Sequence, residues 1–258
     1  ISADGKGYAA MQGPGAGYLS SYSSSNFGGG ASYGGQGGLA PYMTEIAPVY
    51  GSLYEPFDLG SGGGHGTRGG AGGGKLKLQV GGQLLNDGTI SANGSDGTTS
   101  GNLTTFGGGG SGGSIYLTTG TLTGSGVMSA NGGNGDYNNN NYIGGGGGGG
   151  RIALHYGTDT YTGTVTVTGG LGYAIDGVGG SGTIYKKSNS ETQGHLILEN
   201  GATGTTEFPG GTYALDSLTI NNSILVIGES VDLTISNLLL SNTATIYISG
   251  SVPLSVTD

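Results

Sequence analysis

A glycine tract that runs straight into a short alternating segment, and closes on an Asn-Gly turn, recurs along this chain at nearly constant spacing. The clearest copy opens with the tract at 107–113, continues as Ser-Ile-Tyr-Leu-Thr-Thr-Gly-Thr-Leu-Thr-Gly from Ser114, and ends at Ser129-Ala-Asn-Gly132. Another copy has a tract ending at Gly74 and closes on Ile90-Ser-Ala-Asn-Gly94; a third has the tract at 144–150 and Gly163-Thr-Val-Thr-Val-Thr-Gly169. A weaker copy reads Gly182-Thr-Ile-Tyr185 and Gly194-His-Leu-Ile-Leu. Counted on Gly88, Gly126, Gly163 and Gly194, the steps are 38, 37 and 31 residues. A period of this size marks units that stack, because none can bury its apolar face alone.

From Thr205 onward the tracts vanish, and Leu218-Thr-Ile-Asn-Asn222 recurs as Leu238-Leu-Leu-Ser-Asn242, a step of 20. Ile224, Val226, Val231, Leu233 and Ile235 alternate with polar neighbours, which sends them to one face of a strand. Segments rich in Val, Ile, Thr and Tyr suit strands, and Asn-Gly and Gly-Gly suit the corners between them. No window carries a 3.6-residue apolar period with caps, so no helix is expected. The expected fold is all-β: a right-handed parallel β-helix with its glycine tracts stacked alongside as extended, polyproline-II-like strands. Polyproline II makes no internal hydrogen bonds, so adjacent tracts can bond laterally. Seven or eight coils would stack to about 35 Å.

Three segments of one continuous solenoid are expected: 1–60, a partial first coil with a Tyr-, Gly- and Pro-rich insertion; 61–204, the glycine-rich repeats; and 205–258, regular coils. Ile1-Ser-Ala-Asp-Gly5 matches the tail of the repeat, so the chain begins in mid-unit. That leads to the expectation of a piece cut from a longer chain, or of an edge that pairs with something else.

Glycine supplies 64 of 258 residues, a share that elsewhere signals low complexity. The regular alternation between the tracts argues instead for a folded chain. With 7 basic against 16 acidic residues the net charge is −9, so nucleic acid is not an expected partner. Cysteine is absent, which removes disulfides and thiolate metal sites. No stretch of about 20 apolar residues exists, so no membrane insertion is expected.

The repeat resembles the glycine-rich right-handed parallel β-helix modules of large prokaryotic surface and secreted proteins. The resemblance rests on the segment 113–126, on Ser129-Ala-Asn-Gly132, on residues 145–152 and on the Leu218-Thr-Ile-Asn-Asn222 type of coil, and it covers most of the chain from Gly60. It implies a stalk, adhesin or fibre at the cell surface or outside the cell, sometimes attached to a catalytic domain. The same fold also hosts polysaccharide lyases and glycosidases.

Side-chain chemistry is sparse. Glu45, Glu55 and Asp58 are the nearest approach to an acidic cluster and are the catalytic candidates for a polysaccharide-active enzyme, which needs paired carboxylates. Other acids sit singly at turns. His65, His155 and His195 share no metal-ligand spacing, and Asp58, His65 and Arg68 form at most a loop ion cluster. Gly132-Gly-Asn-Gly-Asp136 is close to a calcium-binding nonapeptide with its acid one residue early, so Asn131, Asn134 and Asp136 are weak calcium candidates. Tyr18, Tyr22, Tyr33, Tyr42, Tyr50 and Tyr54 are candidates for glycan contact, against the alternative of packing over the bare glycine backbone. Asn93, Asn102 and Asn221 are glycosylation sequons. The expected function is a secreted structural or adhesive module whose partners are copies of itself, flanking domains of a longer chain, or glycans. A polysaccharide-active enzyme or glycan-binding accessory module is the alternative.

Overall fold

In the computed structural model, residues 1–99, 104–138, 141–199, 204–249 and 254–256 are described. Among them the regular structure is all β, without a helix. The largest sheet has eight strands in the spatial order Leu254–Val256, Val231–Ser241, Gly211–Asn221, His195–Glu199, Thr183–Ser188, Arg151–Tyr161, Ser114–Gly124 and Lys75–Leu85. Three of these strands start directly after glycine tracts and a fourth after Gly182, and their first residues are in register: Lys75 with Ser114, Ser114 with Arg151, and Arg151 with Thr183. The tract therefore acts as a ruler that sets where each strand begins.

A smaller parallel sheet pairs Thr89–Ser91, Val127–Ser129 and Thr164–Thr166, aligning Ile90, Met128 and Val165. Ser2 bridges onto Ser91, so the first residues form one more layer of this stack. A third parallel sheet joins Thr205–Glu207, Ile224–Ile227 and Thr245–Ile248. Gly88, Gly126 and Gly163 lie one above another: Val127 N donates to Gly88 O, and Thr164 N donates to Gly126 O.

Gly194 departs from that column. The His195–Glu199 strand enters the large sheet antiparallel to Thr183–Ser188, pairing Tyr185 with Leu196, so the 31-residue step does not continue the series. Only the short segment 189–194 separates the two strands, and a parallel return needs a crossover of a dozen residues or more. The next pairing, His195–Glu199 with Gly211–Asn221, is parallel again.

Alternation builds the core. Ile115, Leu117, Leu122, Ile152, Leu154, Met128 and Ile90 form one buried cluster with Ala3, Ala92 and Ala130. Leu196, Leu198, Leu215, Leu218, Ile220, Leu225, Leu233 and Ile235 form a second. Simple inside–outside alternation fails at the start of the central strands, where Ser114, Tyr116, Arg151, Ala153, Thr183 and Tyr185 are buried too. The reason is the 6–60 insertion, which covers that outer face; its Leu53 belongs to the second cluster beside Tyr116, Ala153 and Tyr185.

Candidate functional site

The glycine tracts are hydrogen-bonded on all sides. Along the tract at 107–113, Gly108 N and Ser111 N donate to Gly64 O and Ser61 O; Gly109 N and Gly112 N donate to Gly145 O and Gly148 O; Gly107, Gly110 and Gly113 donate to Thr98, Ser95 and Ala92. Every third amide meets the same neighbour. The tract at 144–150 repeats the rule: Gly145 and Gly148 donate to Gly28 and Ala31, Gly146 and Gly149 to Gly177 and Gly180, Gly147 and Gly150 to Gly133 and Ala130. Its carbonyls accept in turn, at Gly145 from Gly109, at Gly146 from Gly38 and at Gly149 from Gly34. At such spacing a side chain has no room: a Cβ on Gly109 would lie 1.9 Å from Gly133 O, and one on Gly30 1.8 Å from Gly146 O.

The Ser-Ala-Asn-Gly corners form a ladder that sequence reasoning read only as turns. Asp4 Oδ1 accepts from Asn93 N at 2.6 Å, Asn93 Oδ1 from Asn131 N at 2.8 Å, and Asn131 Oδ1 from Thr168 N at 2.9 Å. A second column runs from Asp96 Oδ1 to Asn134 N and from Asn134 Oδ1 to Leu171 N. The signal was present, since the bonded residues are 38 and 37 apart.

Two of the calcium candidates are therefore engaged, because the carbonyl oxygens of Asn131 and Asn134 accept backbone amides. Asp136 is buried, its Oδ2 has no hydrogen-bond partner, and burial raises its carboxyl pKa. Among the described residues no three acids, histidines or cysteines converge as metal ligands. Of the sequons, Asn93 serves the ladder, Asn221 Nδ2 donates to Glu199, and Asn102 lies outside the described residues.

The tyrosines divide into two sets. Tyr33 and Tyr50 pack together with ring centroids 4.7 Å apart, and Tyr54 packs edge-on to Tyr185 at 4.9 Å. These hold the insertion against the sheet. Arg151 completes the lock: wholly buried, it donates from Nε and Nη2 to Tyr50 O at 3.0 and 2.9 Å, from Nη2 to Tyr33 O, and from Nη1 to Thr183 Oγ1. Desolvation lowers the Arg151 pKa and raises the phenol of Tyr33 to about 12, against the opposing pull of Arg151. Tyr18, Tyr22 and Tyr42 instead face solvent, with Tyr22 and Tyr42 stacked at 4.4 Å and an interplanar angle of 15°.

The three candidate acids are exposed and keep different company. Glu45 lines a depression with Tyr18 and Tyr42, Glu55 lies beside Tyr116, and Asp58 lies against Gly51 and accepts the Ser114 hydroxyl at its backbone carbonyl. His155 sits between Tyr116 and Tyr185 and contacts Tyr54 O; His195 contacts Ser217 Oγ and Glu191. His65 adopts a left-handed turn, φ 78°, in which its carbonyl accepts from Arg68 N. Among the described residues no helix is long and apolar enough to cross a membrane. Comparison with family models, curated proteins and solved structures finds no match.

Proposed function

We propose that the chain is a right-handed parallel β-helix sheathed by polyproline-II glycine strands, acting outside the cell or at its surface as a structural or adhesive module. The observation that carries this reading is the three-residue rule in the tracts. A polyproline II helix has three residues per turn and bonds only to its surroundings, so amides of one such strand address three neighbours in rotation. Glycine loses more backbone entropy on ordering than any other residue, and the lateral bonds offset that loss. A chain that is a quarter glycine, with its tracts cross-bonded as bare backbone, is suited to stiffness more than to chemistry.

Its ends support end-to-end association with further copies or with flanking domains. Among the described residues the Lys75–Leu85 strand has a partner strand on one side only, Leu85 on it is exposed, and at the opposite end Leu239, Tyr247 and Ile248 are exposed. Open strand edges are templates for pairing, and a heterologous contact that does not close yields a filament. Electron microscopy and sedimentation across a concentration series test this. Linear rods, shortened by Leu85→Glu, are expected; particles of constant monomer length at every concentration would refute assembly.

A second reading, a glycan-binding module or part of a polysaccharide lyase or glycosidase, is favoured by the solvent-facing Tyr22–Tyr42 stack beside Glu45. Release of sugar from a polysaccharide panel, abolished by replacing Glu45, Glu55 or Asp58, is the outcome that would establish the enzyme.

A further inference from the structure

We propose that the groove between the loops 39–46 and 171–178 is a cleft that binds a neutral polysaccharide; this rests on the adhesive reading and gives it a ligand class. Three depressions follow one another there, each sharing lining residues with the next. One of about 290 Å³ lies between Tyr18, Tyr42 and Glu45. It shares Tyr42 and Met43 with a middle one of about 160 Å³, which adds Tyr173 and Ala174. That in turn shares Leu39 and Asp176 with a third of about 350 Å³, walled by Ile46, Ile175 and Val178. The two loops are tied together by Leu39 N donating to Asp176 O at 3.0 Å, so the groove is built on a fixed frame.

The lining has the character of a sugar site. Tyr42, 64% exposed although one ring face stacks on Tyr22, and Tyr173, 45% exposed, present aromatic surface, apolar in body and polar at its tip, on which a pyranose can pack. Ile175 is 64% exposed and Ile46 38%, a degree of apolar display that marks a binding surface when it is contiguous. Glu45, Asp176 and Gln36 supply oxygens for hydroxyl donors. Of the seven described non-glycine residues in the left-handed region, two, Tyr42 (φ 64°) and Ala174 (φ 50°), line the middle depression. Such outliers cluster where a site is pre-organised.

Charge selects the ligand. Among the described residues no Lys, Arg or His lines any of the three depressions, two acidic residues do, and the whole chain carries −9. A polyuronate or sulfated glycan would meet like charge and find no cation, whereas a neutral chain of hydroxyls finds acceptors.

Affinity electrophoresis and calorimetry on the intact chain would use soluble neutral glucans, mannans and xylans beside polygalacturonate and alginate. Binding to at least one neutral polymer and to neither polyanion is expected. Tyr42→Ala and Tyr173→Ala should each weaken it about tenfold, as loss of a central aromatic anchor does, while Tyr247→Ala, exposed outside the groove, leaves it unchanged. Melting of each variant alongside the parent separates lost binding from lost fold, both tyrosines being largely solvent-facing. No retention by any neutral polymer, preference for a polyanion, or binding indifferent to both groove tyrosines in folded protein would overturn the proposal. Filament formation is read independently by microscopy, so either result stands without the other.

Discussion

At single positions, the same residue type plays opposite parts. A Cβ on Gly109 would meet Gly133 O at 1.9 Å, backbone that cannot yield, whereas Gly82, in the irregular stretch of the edge strand, has nothing within 4 Å of that position. Gly109→Ala is therefore expected to destabilise by about 3 kcal/mol or more, the upper range for overpacking. Gly82→Ala should be neutral or stabilising by about 0.5 kcal/mol through reduced freedom of the unfolded chain. Denaturant unfolding of the two variants decides it, and equal effects would contradict the close approach. The tract sequence predicts glycine at both places; which glycine is indispensable depends on a neighbour 24 residues away in one case and on empty space in the other.

Among the elements, the insertion carries the least sequence regularity and the most specific packing. Its docking rests on Arg151 and on phenols that burial holds neutral. Tyr33 and Tyr185 have pKa values raised to about 12, above an unfolded value near 10, chiefly by desolvation. A raised folded pKa contributes stability that is complete below pH 10 and is lost as pH climbs through about 12. Absorbance titration of phenolate is expected to show the buried set ionising in that window together with loss of structure. Ionisation of all sixteen tyrosines in one step near pH 10 with the fold intact would rule this out. Arg151 was unremarkable as the residue following a glycine tract, for its partners, Tyr33 and Tyr50, lie 118 and 101 residues away. His155 likewise meets Tyr54 O only through this docking.

Over the whole molecule, two buried clusters share the eight-stranded sheet: Ile115, Ile152 and Ile184 of its central strands belong to one, while Tyr116, Ala153 and Tyr185 of the same strands join the C-terminal coils in the other. Stacked architectures derive stability from nearest-neighbour contacts, so the two ends are separable in principle. Leu53 and Tyr54 of the insertion reach across: Tyr54 meets Tyr185 at 4.9 Å and Tyr213 at 6.1 Å, and its hydroxyl accepts from Ala214 N. Truncation of this contact by Tyr54→Ala is expected to cost about 2–4 kcal/mol and to turn one calorimetric transition into two, the C-terminal coils melting first. A single transition merely shifted to lower temperature would show that the sheet alone couples the ends.

The chain's own order of residues determined the all-β class, the spacing of the tracts and the alignment of Gly88, Gly126 and Gly163, because these follow from a period written locally and repeated. It also contained the 38- and 37-residue steps of the ladder from Asn93 to Asn131 and from Asn131 to Thr168, visible as recurrence though not as bonding. Tertiary structure alone decided that the 195–199 strand turns back, that Tyr33 is buried and Tyr50 half-buried while Tyr42 meets solvent, and that distant loops flank a groove. Those outcomes depend on which surfaces an irregular insertion covers, and burial of that kind arises between segments whose sequences carry no mark of one another.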